Sequence, residues 1–293
     1  MTRRHRTPKI SLTPLLILLV ACGVLSGPLA AQEDEISVAV QVVDQPGQVT
    51  QVTRASQGAT FSVRPSVTSS NVGRGEQILR LDLRCINTVT GQIIPFCNLT
   101  LTWQARANSG GHSHHTNRPK GTFEPASGNT GSTGVLTTTY TSPEASGIIE
   151  ANLTGTLSDG RPVNPSSFTI GVELSDLVSL GDGANYDLVG ATATHGDNHY
   201  GTPTFNGSLT TLADSYAQAF PGQILFYNDM SLPQGGLFDI RAGWAPPHSS
   251  HRFGVDLDLR LVAPQRRRLL RQLITGSGIG TIIVEGDHWH IRQ

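Results

Sequence analysis

The sequence predicts two unlike parts: an all-β sandwich over residues 35–173 and a small α+β domain over residues 202–293. Three observations lead there. Early runs such as Ile36–Val42, Ile78–Leu83 and Leu99–Trp103 alternate apolar and polar side chains, as half-buried strands do, with Gly, Pro, Asn and Ser clusters between them. Later the period lengthens to that of a helix, with Leu209, Leu212, Ala213, Tyr216, Ala217 and Phe220 on one stripe. The composition, with 32 glycines and only 15% charged residues, suits short strands joined by turns better than long amphipathic helices.

The first 31 residues read as an export signal. Arg3, Arg4, Arg6 and Lys9 form a basic n-region, Leu12 to Ala21 an apolar h-region, and small residues lead to Ala30-Ala31. The uncharged stretch 10–31 is also long enough for an uncleaved anchor, but Pro14, Pro28 and the glycines suit a processed signal better. Leu19-Val20-Ala21-Cys22 resembles the bacterial lipobox, which would acylate Cys22, so soluble and lipid-anchored forms both stay open. The expected location is the periplasm or cell envelope. Without residues 1–31 the chain has 17 basic and 22 acidic side chains, and no basic stripe of the kind that tracks phosphates, so no nucleic-acid partner is expected.

Strand-like runs continue through Val135–Tyr140 and Ile148–Thr154. The stretch GSTGVLTTTYTSPEASGIIEANLTG resembles bacterial Ig-like modules of the adhesin type, which implies an Ig-like β-sandwich over 35–173 without implying a role. Cys85 and Cys97 flank a turn between two such runs, and in an exported protein they are expected to form a disulfide. Residues 174–201 form a Gly/Asp-rich connector. A helix is expected from Ser208 as N-cap to Phe220, stopped by Pro221-Gly222. A short strand follows at 224–227 and an alternating one at 253–261, with Val255, Leu257 and Leu259 on one face and Asp256, Asp258 and Arg260 on the other. Pro264 opens a second helix to Ile274, and Ile282–Val284 and His288–Arg292 close the chain as strands.

Chemistry concentrates in two segments, PPHSSHRFGVDLDLRL (246–261) and EGDHWHIRQ (285–293), which hold four of the ten histidines. A catalytic zinc site needs about three nitrogen or oxygen ligands and one position left open for water. His251, Asp258 and His290 can supply the three, and Gly254 would let the backbone pass close to the metal. Strand alternation puts His288 beside His290, with Trp289 and Ile291 turned inward.

The pattern H-x-x-H-x-x-G-x-D-x-D, followed by D-x-H-x-H-x-R, resembles the penicillin-insensitive murein endopeptidases. These belong to the wider LAS group of zinc metallopeptidases, with the D-Ala-D-Ala carboxypeptidases and phage endolysins. Asn228-Asp-Met-Ser-Leu-Pro-Gln-Gly-Gly resembles a further segment of that family, so the likeness runs over about residues 224–293. It implies a zinc peptidase domain over 202–293, with Zn2+ held by His251, Asp258 and His290. His288 would stabilise the oxyanion or help move protons. Asp287 would be the general base that takes a proton from the attacking water and returns it to the leaving amine. A turn-forming role for Asp287 is equally open, and Glu285 is a second candidate base. His248 and Asp256 are expected to orient ligands from behind, and Arg292 to hold a substrate carboxylate or end in solvent. The family carries further ligands between the two motifs that have no counterpart here.

The implied function is cleavage of peptide cross-links or stem peptides in peptidoglycan. An inactive, adhesin-like binding protein and an exported peptidase with a non-wall substrate are the alternatives. His112, His114 and His115 sit in a glycine-flanked tract that reads as exposed loop, while His195 and His199 either line the same cleft or serve elsewhere.

Overall fold

The computed structural model describes residues 35–44, 59–66, 77–245 and 250–293; the segment expected to be an export signal, with Cys22, and His248 lie outside the described residues. The alternating runs form β1 (Ile36–Asp44), β2 (Ala59–Val63), β3 (Ile78–Asn87), β4 (Asn98–Ala105), β5 (Thr122–Glu124), β6 (Ser127–Asn129), β7 (Val135–Thr141), β8 (Gly147–Thr156) and β9 (Pro162–Val172). Each turns one set of side chains inward, so Val38, Leu81, Leu83, Leu153 and Ile170 are at most 1% exposed.

These strands are not two facing sheets. They follow one path, β5-β7-β3-β1-β9-β8-β4-β6, with β2 paired to β9. The join is a parallel contact between β1 and β9 at Ser37 and Asn164, beside a 3.0 Å hydrogen bond between the hydroxyls of Ser37 and Ser166. The ends of the path, β5 and β6, are separated in sequence only by Pro125 and Ala126. Three Cα steps span at most about 11 Å, so the sheet has to curl until its edges meet. The Leu101 N–H accordingly reaches the Ala126 carbonyl at 2.8 Å, and Trp103 of β4 packs on Phe123 of β5 with ring centroids 5.1 Å apart.

Beyond β9 come β10 (Val178–Ser179), β11 (Tyr186–Leu188), β12 (Tyr200–Gly201), α1 (Pro203–Ala219), β13 (Leu225–Tyr227), β14 (Asp256–Arg260), α2 (Arg267–Gly276), β15 (Thr281–Val284) and β16 (His288–Arg292). Five of these strands form a sheet of order β11-β13-β14-β16-β15, and β10 pairs with β12. Phe205, Leu209, Leu212 and Tyr216 of α1, with Leu270 and Ile274 of α2, cover its apolar face. Helix α1 is capped at Thr202, six residues before the expected Ser208. The Thr202 hydroxyl accepts from the Phe205 N–H at 3.2 Å, and Pro203 fits the first turn because that position needs no N–H donor.

The expected fold class, an all-β Ig-like sandwich followed by a small α+β zinc peptidase domain, is therefore corrected. The protein is mostly β, its first nine strands form one nearly closed, barrel-like sheet, and residues Glu35–Gln293 form one compact unit. Strand alternation looks the same in a sandwich and in a barrel; only the β1–β9 contact separates them, and it is made between residues more than a hundred apart.

The expected disulfide is also not formed: Cys85 and Cys97 are free, buried thiols. They are nonetheless hydrogen-bonding neighbours, and burial raises the pKa of both. The Ile94 N–H, donating to the Cys85 carbonyl at 2.9 Å, holds the intervening turn in place. Because the two thiols are neighbours, treating the purified protein with an oxidant should join them, and the non-reduced digest should then show the two peptides linked by mass spectrometry. Closing a loop this short should add about 3 kcal/mol of stability, read as the difference between oxidised and reduced denaturation midpoints.

Candidate metal centre

Strands β14 and β16 pair antiparallel in a register that sets Asp256 opposite Arg292, Asp258 opposite His290 and Arg260 opposite His288. Because side chains alternate, the pairs in between, Leu257 with Ile291 and Leu259 with Trp289, turn to the core under the helices. Two adjacent strands thus present a continuous polar row on one face. The backbone of Asp258 is tied further, its N–H to the Asp229 carbonyl at 2.9 Å and its carbonyl to the Asn228 N–H at 2.8 Å.

Asp258 is the centre of this row. Its Oδ1 lies 2.9 Å from His290 Nδ1, 3.2 Å from His251 Nε2 and 3.5 Å from His288 Nε2. His251, Asp258 and His290 are all buried and offer one ligand atom each within 4.8 Å of one another, so they form a group able to hold a metal. Burial alone would raise the Asp258 pKa, but hydrogen bonds from His251 and His290 outweigh it and hold the carboxyl well below its usual range. Burial would likewise lower the His290 pKa; the carboxylates of Asp256 and Asp258 overcome that and push it up to about 9.

The outer partners are visible as well. Asp256, 1% exposed, takes His290 Nε2 at 2.9 Å and is itself ion-paired with Arg292, so Arg292 serves this chain of contacts. His288 turns Nδ1 to Asp287 at 2.8 Å and Nε2 to Glu285 at 3.2 Å. The Asp287 side chain is 94% exposed, and its hydrogen bond to His288 lowers its pKa. Glu285 meets the ring on the same nitrogen that faces Asp258, and Asp287 on the opposite one.

The other histidines divide. His199 is buried with Nε2 3.1 Å from the Tyr227 carbonyl, and His115 is exposed. His112 and His114 are not exposed loop residues as expected: they turn inward and meet His195 and Asp239, a second group able to hold a metal. Asp239 was missed by the sequence reading, since one aspartate with no histidine nearby in sequence carries no local signal. The only hint was the density of histidine at 112–115.

No family model matches this chain, and no curated protein matches it. Among solved structures the chain is similar to a family 123 glycoside hydrolase from Clostridium perfringens, at 11% identity and a TM-score of 0.25, over 47% of this chain and 27% of that one. A superposition at that score carries no argument about fold or activity.

Gly254 links His251 to β14, and its role differs from the one expected. It adopts φ +69°, and an added Cβ would come within 2.3 Å of Leu177 Cδ2 and 3.0 Å of Gly201 Cα. Its carbonyl accepts the Thr202 N–H at 2.9 Å, so the close approach is to the start of α1. Gly254→Ala should cost on the order of 1–3 kcal/mol, because both the left-handed backbone and the contact oppose a side chain. Urea denaturation measures that loss, and metal affinity should fall with it as His251 shifts against Asp258.

Proposed function

We propose that this chain is an exported zinc-dependent hydrolase that cleaves peptide bonds in peptidoglycan. The observation that carries the reading is the convergence of His251, Asp258 and His290 on the polar face of β14 and β16, buried and backed by Asp256. Two imidazole nitrogens and one carboxylate oxygen are a donor set that suits zinc, and three protein ligands leave a position open for chemistry. The order of the motifs, and their likeness to the murein endopeptidases, support peptidoglycan as the substrate. When bound, the metal would supply Lewis-acid polarisation of the scissile carbonyl and of water.

The chain's own residues supply the rest. His290 is held in one orientation by Asp256, which fixes the ring nitrogen presented to the ligand group. Glu285, which meets His288 on its Nε2 side, would accept the proton of the attacking water and return it to the leaving amine. Asp287, on the Nδ1 side, orients His288 rather than acting as the base. His288, with a side chain 21% exposed, borders both the ligands and solvent, where a substrate carbonyl would approach.

Two measurements test this. Elemental analysis should show that His251→Ala combined with His290→Ala removes one zinc equivalent per chain. In digests of purified peptidoglycan, Glu285→Gln should lower the rate by about a hundredfold to ten-thousandfold with zinc retained, as loss of a general base does. Asp287→Asn should cost only about tenfold, since orienting effects are smaller. The reverse order would make Asp287 the base. A wild type that holds zinc but cleaves no wall peptide would favour the adhesin-like reading or a non-wall substrate.

A further inference from the structure

Three loops far apart in sequence bring four ligand-type side chains to one point. His112 and His114 come from residues 106–121, between β4 and β5; His195 from 189–199, between β11 and β12; and Asp239 from the chain between β13 and β14. The side chains of His112, His195 and Asp239 are at most 1% exposed, and that of His114 is 13% exposed. The three imidazoles stand at centroid separations of 5.2, 5.3 and 5.4 Å with their planes 77–86° apart, a nearly regular propeller.

One nitrogen of each ring points inward. Asp239 Oδ1 lies 3.1 Å from His195 Nε2, 3.2 Å from His114 Nε2 and 3.3 Å from His112 Nδ1, and His112 Nδ1 is 3.2 Å from His195 Nε2. Hydrogen bonds alone do not account for this. A carboxylate oxygen has about two lone-pair sites, so it cannot accept three ring N–H groups. A ring that offered its lone pair instead would face a carboxylate with like charge density. The distances do match another arrangement: four ligand atoms at about 2.0–2.1 Å from a tetrahedral centre are about 3.3 Å apart along each edge.

We propose that His112, His114, His195 and Asp239 form a closed, structural zinc site, separate from the His251 group. The supporting contacts fit that role. Asp239 gives one oxygen to the cluster while its other oxygen accepts the Trp244 N–H at 2.6 Å, which fixes a one-oxygen ligand. His195 Nδ1 rests on the Thr194 hydroxyl at 3.2 Å, so Nε2 is the nitrogen presented. The outer nitrogens of His112 and His114 are buried without hydrogen-bond partners; those rings are held by packing under Trp244, at 4.9 and 4.2 Å. The Trp244 indole N–H donates to the Thr116 carbonyl at 2.7 Å and closes the cover. Four protein ligands and this cover leave no position for substrate, as in structural rather than catalytic zinc sites. Zinc is favoured over other divalent ions by three imidazoles with tetrahedral edge lengths.

The site would pin the loop 106–121 of the nine-stranded sheet to the chain that carries His251. Phe238, next to Asp239, touches His195 with centroids 5.1 Å apart and His251 at 6.3 Å, so one buried ring separates the two groups.

The inference is tested by metal stoichiometry on the whole mature protein. Wild type should carry two zinc equivalents, and His114→Ala and His195→Ala one each, with a lower thermal midpoint. The His251→Ala, His290→Ala double variant should lose the other equivalent and keep this one. Equal zinc content in wild type, His114→Ala and His195→Ala would overturn the proposal and leave the His251 reading untouched. Should those variants fail to fold, Co2+ added to the metal-stripped His251→Ala, His290→Ala protein decides. A one-equivalent tetrahedral visible spectrum is expected, and its absence refutes the site.

Discussion

The register of β14 against β16 is the constraint on which the rest of the second sheet depends. Asp258 opposite His290 puts every polar side chain of both strands on one face and Leu257, Leu259, Trp289 and Ile291 on the other. A slip of β14 by one residue would turn its two faces over, burying Asp256 and Asp258 beneath the helices and exposing Leu257 and Leu259. Burying two carboxylates among leucines costs far more than a register change can recover, so the core under α1 and α2 fixes the geometry of the ligand group. Site and core are two faces of one pairing.

That pairing places only two of the three residues of the His251 group. His251 is positioned by Gly254, by the Arg252 side chain reaching Glu144 at 2.8 Å, and by the Gly236 N–H donating to the Arg252 carbonyl at 3.0 Å. Glu144 follows β7, so the chain leaving the nine-stranded sheet helps hold His251 beside Asp258 of the five-stranded sheet. The His112 cluster crosses the same boundary with residues from both sides. Both groups therefore depend on contacts from each side of that boundary, and the β-rich first half contributes to the position of each.

Much of the His251 group was legible in the sequence. Its residues lie in two short motifs, and strand alternation alone sets His288 beside His290 and Asp256 beside Asp258 on one face. What alternation could not tell was the role of each carboxylate: Asp256 and Asp258 share a face and a burial, and the cross-strand partner decides which one meets His251. The assignment of Glu285 and Asp287 to opposite nitrogens of His288 was equally hidden, since both lie within three residues of the ring.

The sequence by itself determined most of the longer strands, the existence of the two helices and the short-range order of the His251 motifs, because those follow from periodicity within about a dozen residues; the short strands β10, β11 and β12, which fall in the expected connector 174–201, carry too little alternation to be read. The tertiary structure decided everything that depends on closure. The parallel β1–β9 contact turned an expected sandwich into a nearly closed sheet. The meeting of residues 112, 114, 195 and 239 turned an apparent surface tract into a buried cluster. Neither could be read locally, for the same physical reason: a contact between distant residues is set by how the chain closes on its core, and local patterns carry no record of it.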